Sequence, residues 1–270
     1  MVEQVSGTAI AGIIFSMIVS IGLPVFLLFF VKRRLKTRMS AAGIGALTFV
    51  LFALILEQIL HSVVLNLSGD VLNENIWLYA LYGGLAAGVF EETGRFVAMK
   101  FWMKKDLSKE SSIMYGVGHG GIEAILIAGI GCISNLITVF MINSGQIESA
   151  YSTLEDGPGK ELALQSLSVF WTTPGYQFFL VGVERAIAIG LHICLSYLVY
   201  RAVKRGEKKY FAAAVGIHFL VDALTVVLAN FAPIAAVEIA LAVMVGALIL
   251  AVRRMYGKDL AKTEESFYNA

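Results

Sequence analysis

The chain has 270 residues, of which 58% are hydrophobic and 15% are charged. A soluble domain of this length could not bury so much apolar surface in one core, so the composition excludes an ordinary soluble protein. The formal net charge of +1 gives no electrostatic support for nucleic-acid binding.

Apolar blocks of about 20 or more residues follow one another along the chain, and a helix of that length crosses the hydrocarbon layer. Main-chain groups in lipid must pair within their own segment, and the blocks are too long for barrel strands, so we predict helices. The predicted fold class is an all-α polytopic transmembrane bundle of about seven (seven to eight) helices. The predicted spans are 8–31, 41–65, 76–100, 111–142, 176–200, 210–229 and 233–252.

These spans and their connections predict one integral membrane domain over residues 1–270. No basic region precedes the first apolar block, which favours a retained helix over a cleaved signal peptide. The fourth span is unusually long and is expected to be tilted or broken near residues 129–131. The outer loop 144–175 is expected to contain a short amphipathic helix over 160–170. Residues 255–270 are predicted to be a short tail.

The loop charges predict the orientation of the chain. Lysine and arginine concentrate in the alternate segments 32–38, 104–109, 201–209 and 253–262, whereas Lys160 is the one cation in the other set of loops. The positive-inside rule places the basic set in the cytoplasm. We therefore expect the N-terminus outside and the C-terminus in the cytoplasm, in the plasma membrane of a bacterium.

Acidic and histidine side chains recur inside the predicted spans, where an ionisable group is costly and usually functional. Glu91, His119, His192 and His218 each lie nine or ten residues from a basic residue at the cytoplasmic end of their helix. At about 1.5 Å per residue, all four lie roughly 13–15 Å from the inner boundary. We predict that four helices present an acid or a histidine in one layer.

The spacing within each helix enlarges this layer. His119 with Glu123, and His218 with Asp222, are four residues apart and share a helix face. Arg95 can pair with one carboxylate of the adjacent Glu91 and Glu92, and two neighbouring acids with one arginine cannot easily both ionise in a low dielectric. One acid would then serve as a base.

This set of groups is suited to hydrolysis of an amide by one of two routes. A carboxylate can activate water as a general base, with histidine assistance and with hydrogen-bond donors for the oxyanion. Alternatively His119, His192 and His218 could hold zinc or another divalent metal with an open position. The residues alone leave both routes open.

The segments Glu91-Glu92-Thr93-Gly94-Arg95, His119-Gly120-Gly121-Ile122-Glu123 and His218-Phe219-Leu220-Val221-Asp222, together with His192, resemble the YhfC-type membrane peptidases. These are related to the PrsW-type and the CAAX and bacteriocin-processing proteases. The resemblance covers spans three to six. It implies a glutamic-type intramembrane endopeptidase that acts on membrane-associated proteins or peptides.

The resemblance also implies roles. Glu91 would be the base that activates the water, Glu92 and Arg95 would orient Glu91, and His119 would assist with the water. His218 and Asp222 would hold the oxyanion. The full set of predicted catalytic residues is Glu91, Glu92, Arg95, His119, Glu123, His192, His218 and Asp222.

Other interpretations stay open. A proton-coupled transporter also uses acid and histidine chains at mid-membrane, although no internal repeat supports it. A non-catalytic membrane chaperone or immunity-type binding protein is a third class.

Glu57, His61, Glu184 and Arg185 lie further out and are expected to be structural, with Glu57 paired to Arg185 or linked to Glu184. Glycines near Gly84 and Gly118 are expected to bring spans three and four together, or to leave room for a peptide backbone.

Overall fold

The computed structural model describes residues 2–268, with side chains for residues 2–259, and this part of the chain contains helices and no strand. Four π-helical segments interrupt the α-helices. The helices in chain order are α1 (Gly7–Met17), π1 (Ile18–Gly22), α2 (Leu23–Leu35), α3 (Ser40–Phe49), π2 (Val50–Glu57), α4 (Gln58–Ser68), α5 (Asp70–Glu74), α6 (Ile76–Val97), π3 (Ala98–Trp102), α7 (Lys109–Ala124), π4 (Ile125–Gly129), α8 (Ile130–Asn143), α9 (Gln146–Ser152), α10 (Pro158–Thr172), α11 (Gln177–Arg205), α12 (Lys209–Phe231) and α13 (Ile234–Tyr268).

Six continuous helices within the described residues are long and apolar enough to cross a membrane. They are Gly7–Leu35, Ser40–Ser68, Lys109–Asn143, Gln177–Arg205, Lys209–Phe231 and Ile234–Asp259. Six of the seven predicted spans correspond to these helices. The remaining one, 76–100, is helical as α6 and π3, but it is not among the six. Its apolar stretch is interrupted by the acidic pair and the arginine of the predicted site.

Local sequence signals explain several of the helix ends. The Asn75 side chain accepts hydrogen bonds from two main-chain N–H groups of the first turn of α6, which is a typical N-cap. Gly206 directly follows the last residue of α11 and has a φ of +71°. Glycine adopts this left-handed conformation without strain, so it is suited to end the helix. Pro158 occupies the first position of α10, where no main-chain donor is lost.

The predicted irregularity in the long fourth span corresponds to π4, which ends at Gly129. The helix expected over residues 160–170 is present as α10. The segment 255–268, which the sequence analysis described as a tail, is helical and continues α13.

The chain divides into two compact units. One comprises Ala124–Ala186 together with the residues before Pro24, and its core is built around Ile13, Cys132 and Phe170. The other comprises Pro24–Glu123 and the residues from Ile187 onward, and it contains every residue of the predicted polar layer. Its core includes Met114, Tyr115, Leu195 and Tyr197, all with less than 1% exposure.

The glycines near the layer bring helices together, but not the predicted pair. A Cβ at Gly84 would lie 2.7 Å from the carbonyl oxygen of Phe219 on α12. A Cβ at Gly116 would lie 2.6 Å from Cα of Ile193 on α11, and one at Gly118 would lie 2.0 Å from the carbonyl oxygen of Ala42 on α3. The expectation that these glycines join spans three and four is therefore wrong. They join α6 to α12, and α7 to α11 and α3.

Candidate active site

Glu91 on α6 and His119 on α7 form the first contact of the polar layer. Nε2 of His119 lies 2.8 Å from Oε2 of Glu91, which is a hydrogen-bond distance. The imidazole is fully buried against the edge of the Phe49 ring, 5.3 Å away between centroids. Its Nδ1 is buried and has no hydrogen-bond partner among the described residues. The contact with Glu91 is therefore the one hydrogen bond that orients this imidazole among the described residues.

Arg95 is the largest fully buried side chain of the described residues, and it links three parts of the layer. Its Nε lies 3.0 Å from Oε2 of Glu92, so the arginine pairs with the second glutamate of the couple. Nη1 donates to the carbonyl oxygen of His192 at 2.9 Å and to Oγ of Ser196 at 2.5 Å. Ser196 in turn donates to the same carbonyl oxygen at 2.6 Å. A guanidinium buried in this way needs such partners, because an unpaired buried charge is very costly.

His192 on α11 is held at both ring nitrogens. Nη2 of Arg95 lies 3.0 Å from Nδ1 of His192. Because a guanidinium only donates, Nδ1 accepts, and the proton of a neutral ring is on Nε2. Nε2 lies 2.5 Å from Oε2 of Glu123. The arginine and the glutamate thereby fix the tautomer and the orientation of this imidazole.

His218 on α12 completes the layer. Its Nδ1 lies 2.9 Å from Oε1 of Glu92, and its Nε2 lies 3.5 Å from Oδ2 of Asp222. The Glu92 carboxylate thus bridges His218 and Arg95 with no exposure of its own. The Asp222 side chain is 36% exposed, so the layer is accessible from the surface at this residue.

The three histidine rings lie close to one another. The centroids of His119 and His192 are 4.9 Å apart, and those of His192 and His218 are 5.4 Å apart. All eight predicted catalytic residues are therefore brought together in one unit. Ser196 was missed by the sequence analysis, although its position four residues after His192 was a usable signal.

One group of three residues could hold a metal ion among the described residues, namely Glu91, His119 and His192. One ligand atom from each lies within 4.8 Å of the other two. The predicted trio contained His218 in place of Glu91. His218 does not belong to this group, which is defined by the distances between the ligand atoms of the described residues.

Four ionisable residues predicted to be structural have partners close by. Oε1 of Glu57 lies 3.2 Å from Nε2 of His61, whose Nδ1 lies 2.8 Å from the hydroxyl of Tyr82. Arg185 donates a short hydrogen bond to Glu184, its neighbour in the chain. Each of these contacts lies within one unit.

Comparisons with known proteins bear on this site. The family model described as "YhfC intramembrane metalloprotease" matches residues 19–245, which include the whole polar layer. A Bacillus subtilis (strain 168) protein named "Uncharacterized membrane protein YhfC" is 36% identical over 220 residues, covering 80% of this chain and 84% of the relative. No solved structure matches the chain.

Proposed function

The chain belongs to the family of YhfC intramembrane metalloproteases, and we propose that it hydrolyses peptide bonds of membrane-associated proteins with a divalent metal ion held by Glu91, His119 and His192. Membership of this family makes the chain a multi-pass membrane protein and a peptidase. The observation that carries the metal proposal is the proximity of three ligand atoms, within 4.8 Å, in a buried layer. The residues, the metal and the substrate are parts of the proposal.

The chemistry of the donors fits a divalent ion. One carboxylate and two imidazoles are the ligand set of several catalytic zinc sites, so zinc is the metal that we propose. The charge balance also favours a cation. If all four carboxylates were ionised and the histidines neutral, Glu91, Glu92, Glu123 and Asp222 would exceed the single positive charge of Arg95 by three negative charges. A divalent cation would offset most of them in a medium where charge is costly.

Such a metal, when bound, would polarise the scissile carbonyl and activate water for attack on it. The chain supplies the remaining groups. Glu123, the carboxylate next to His192, is placed to accept a proton. His218 is oriented by Glu92 and Asp222, and it is placed to donate a hydrogen bond to the oxygen that becomes negatively charged. Arg95 fixes the relative positions of Glu92 and His192.

A glutamic-type mechanism without metal is the second candidate. The observation in its favour is the 2.8 Å contact of Glu91 with His119, which is the geometry that a water-activating base and its assisting histidine require. In that mechanism Glu91 acts as the base. The same residues are used with different roles for Glu91 and Glu123, and the presence of the metal distinguishes the two mechanisms.

We further propose seven membrane spans, with α6 and π3 as the seventh span beside the six long apolar helices, and with the N-terminus outside. The burial of Glu92 and Arg95 supports this count, because the charged part of this helix is shielded from lipid by its neighbours. The alternation of basic and non-basic loops supports the orientation. Measuring which loops react with a membrane-impermeant label would test it.

Metal content and cleavage together test the function. The purified chain is expected to contain about one zinc ion per molecule, and His119→Ala is expected to lose it. His61→Ala is the matched control, because His61 lies outside the trio, and its metal content should be unchanged. Cleavage is measured as new protein N-termini in membranes that contain the native chain. These N-termini should be absent from membranes that contain Glu91→Gln and from membranes treated with a chelator. Cleavage by a metal-free, chelator-treated chain would establish the glutamic mechanism instead, and equal cleavage by Glu91→Gln would refute both.

A further inference from the structure

Helix α4, the C-terminal part of the candidate span Ser40–Ser68, carries a line of uncharged polar side chains. Gln58, Ser62 and Asn66 follow one another at intervals of four residues, so they share one face of the helix. The helix belongs to the candidate span Ser40–Ser68, none of its residues is buried, and all three side chains are exposed. We call these three residues the polar line.

The polar line has spare hydrogen-bonding capacity. The Ser62 hydroxyl donates to the carbonyl oxygen of Gln58 at 2.9 Å, and the Asn66 amide donates to that of Ser62 at 2.6 Å. Among the described residues, the Gln58 amide and Oδ1 of Asn66 make no hydrogen bond. Exposed amides are unfavourable against hydrocarbon, because lipid offers them no partners. The line therefore calls for a polar occupant.

The neighbouring line of the same helix behaves differently. Each residue of the polar line is directly followed by an exposed apolar residue. These residues are Ile59, Val63 and Leu67, which are 58%, 51% and 82% exposed. These apolar residues are compatible with lipid. One side of α4 is thus suited to hydrocarbon, while the polar line is suited to hydrogen-bonding groups.

The polar line lies on a helix that contacts α6, the helix of Glu91. Nδ1 of His61 on α4 lies 2.8 Å from the hydroxyl of Tyr82 on α6, and Tyr82 precedes Glu91 by nine residues, about 13 Å along the helix axis. Asp222 is on the open side of the layer. The line consequently leads away from the groups that would carry out hydrolysis.

We propose that the polar line binds the unwound main chain of a transmembrane substrate next to the bond to be cleaved, an inference that rests on the proposed peptidase function. A peptide bond within a helix is shielded, so the substrate must unwind locally. Its freed N–H and C=O groups then need partners within the membrane. Amide and hydroxyl side chains supply them for any substrate sequence.

The spacing supports an extended main chain as the occupant. Residues four apart in a helix rise by about 6.0 Å. Alternate residues of an extended chain, which face the same side, are about 6.4–6.8 Å apart. Three successive polar side chains therefore stay nearly in register with alternate peptide groups of a substrate that lies along α4.

Binding of two defined peptides tests the proposal. Both are single-span peptides of about 20 apolar residues. One contains a central Gly-Pro pair that unwinds easily, and the other contains only leucine and alanine. Binding to the full chain in phosphatidylcholine nanodiscs is measured by fluorescence transfer, always in the Glu91→Gln background so that nothing is cleaved. The chain with the native polar line should bind the Gly-Pro peptide more tightly.

Replacement of the polar line as Gln58→Leu, Ser62→Ala and Asn66→Leu should weaken binding of the Gly-Pro peptide about thirtyfold. This is the product of about threefold for each of three hydrogen bonds in a membrane. Binding of the leucine-alanine peptide should not change. The matched control replaces Ile59, Val63 and Leu67 by alanine and should leave both affinities as they were.

Equal binding of the two peptides, or a preference that survives replacement of the polar line, would overturn the proposal. The cleavage assay on the chain with native Glu91 is read separately. Cleavage together with a surviving preference refutes only the polar line. A preference that depends on the line, without any cleavage, refutes the peptidase.

Discussion

Replacing Gly118 by alanine tests the closest helix approach beside the active layer. A Cβ at this position would lie 2.0 Å from the carbonyl oxygen of Ala42 and 2.5 Å from its Cα and carbonyl carbon. All three are main-chain atoms of α3, so no side-chain rotation can relieve the clash. Contact at an ordinary distance of about 3.4 Å requires α3 and α7 to separate by more than 1 Å.

The expected cost follows from this displacement. Overpacking of this kind costs about 1–3 kcal/mol, and each kcal/mol lowers Tm by about 2–4 °C in a chain of this size. His119 is the next residue, and its Nε2 is 2.8 Å from Glu91, so a shift of 1 Å disrupts that contact. Cleavage should fall by about a hundredfold. Thermal unfolding in detergent and the N-terminus assay measure the two effects.

Gly216→Ala is the matched control. Gly216 lies on α12 two residues before His218, and a Cβ there would meet no atom within 4 Å. Alanine should be neutral or stabilise the helix by up to about 1 kcal/mol, because glycine is the poorer helix former. An unchanged Tm and unchanged cleavage in Gly118→Ala would refute the close contact of α3 with α7.

Two further variants probe the contacts within the layer. Ser196→Ala removes a hydrogen-bond partner of both Arg95 and the His192 carbonyl, and should weaken zinc binding about tenfold in a competition titration. The control is Ser112→Ala, which removes a buried hydroxyl that donates only to a main-chain carbonyl. This variant should bind zinc as tightly as the native chain. His218→Gln should retain zinc but lower cleavage by about 10²–10³-fold, as expected for loss of an oxyanion donor. Loss of the metal from the His218→Gln variant would instead indicate that His218 is a metal ligand.

The membrane helices could be predicted because the signal is local. A block of about 20 apolar residues is sufficient to indicate a span without knowledge of its neighbours. The same criterion fails for residues 76–100, where Glu91, Glu92 and Arg95 lower the apolar character of the segment. The helix is nevertheless present, since its charged side chains find partners on α7, α11 and α12.

Contacts between helices were harder to predict. Spacing identified residues on one face, such as His218 with Asp222, because a single helix determines it. It could not decide whether Arg95 pairs with Glu91 or Glu92, since both lie within reach on the same helix. The position of α11 decides this, because Arg95 must also reach the carbonyl of His192. The glycine contacts were assigned to the wrong helix pair for the same reason.

The change in the proposed ligand set, from His218 to Glu91, shows how neighbouring charges determine a role that residue type leaves open. A histidine can serve as a ligand only where a ring nitrogen lies near the other ligand atoms, as Nδ1 of His192 lies 3.9 Å from Oε2 of Glu91. Glu92 lies 2.9 Å from Nδ1 of His218, and Asp222 lies on the side of Nε2. Both ring nitrogens of His218 thus face carboxylate oxygens, which suits a hydrogen-bond donor better than a metal ligand. Glu91 is not in contact with Arg95's guanidinium at salt-bridge distance and faces His119 instead, so its carboxylate remains an electron donor. The two adjacent glutamates thus have different proposed roles, because Arg95 pairs with Glu92 and leaves Glu91 to contact His119.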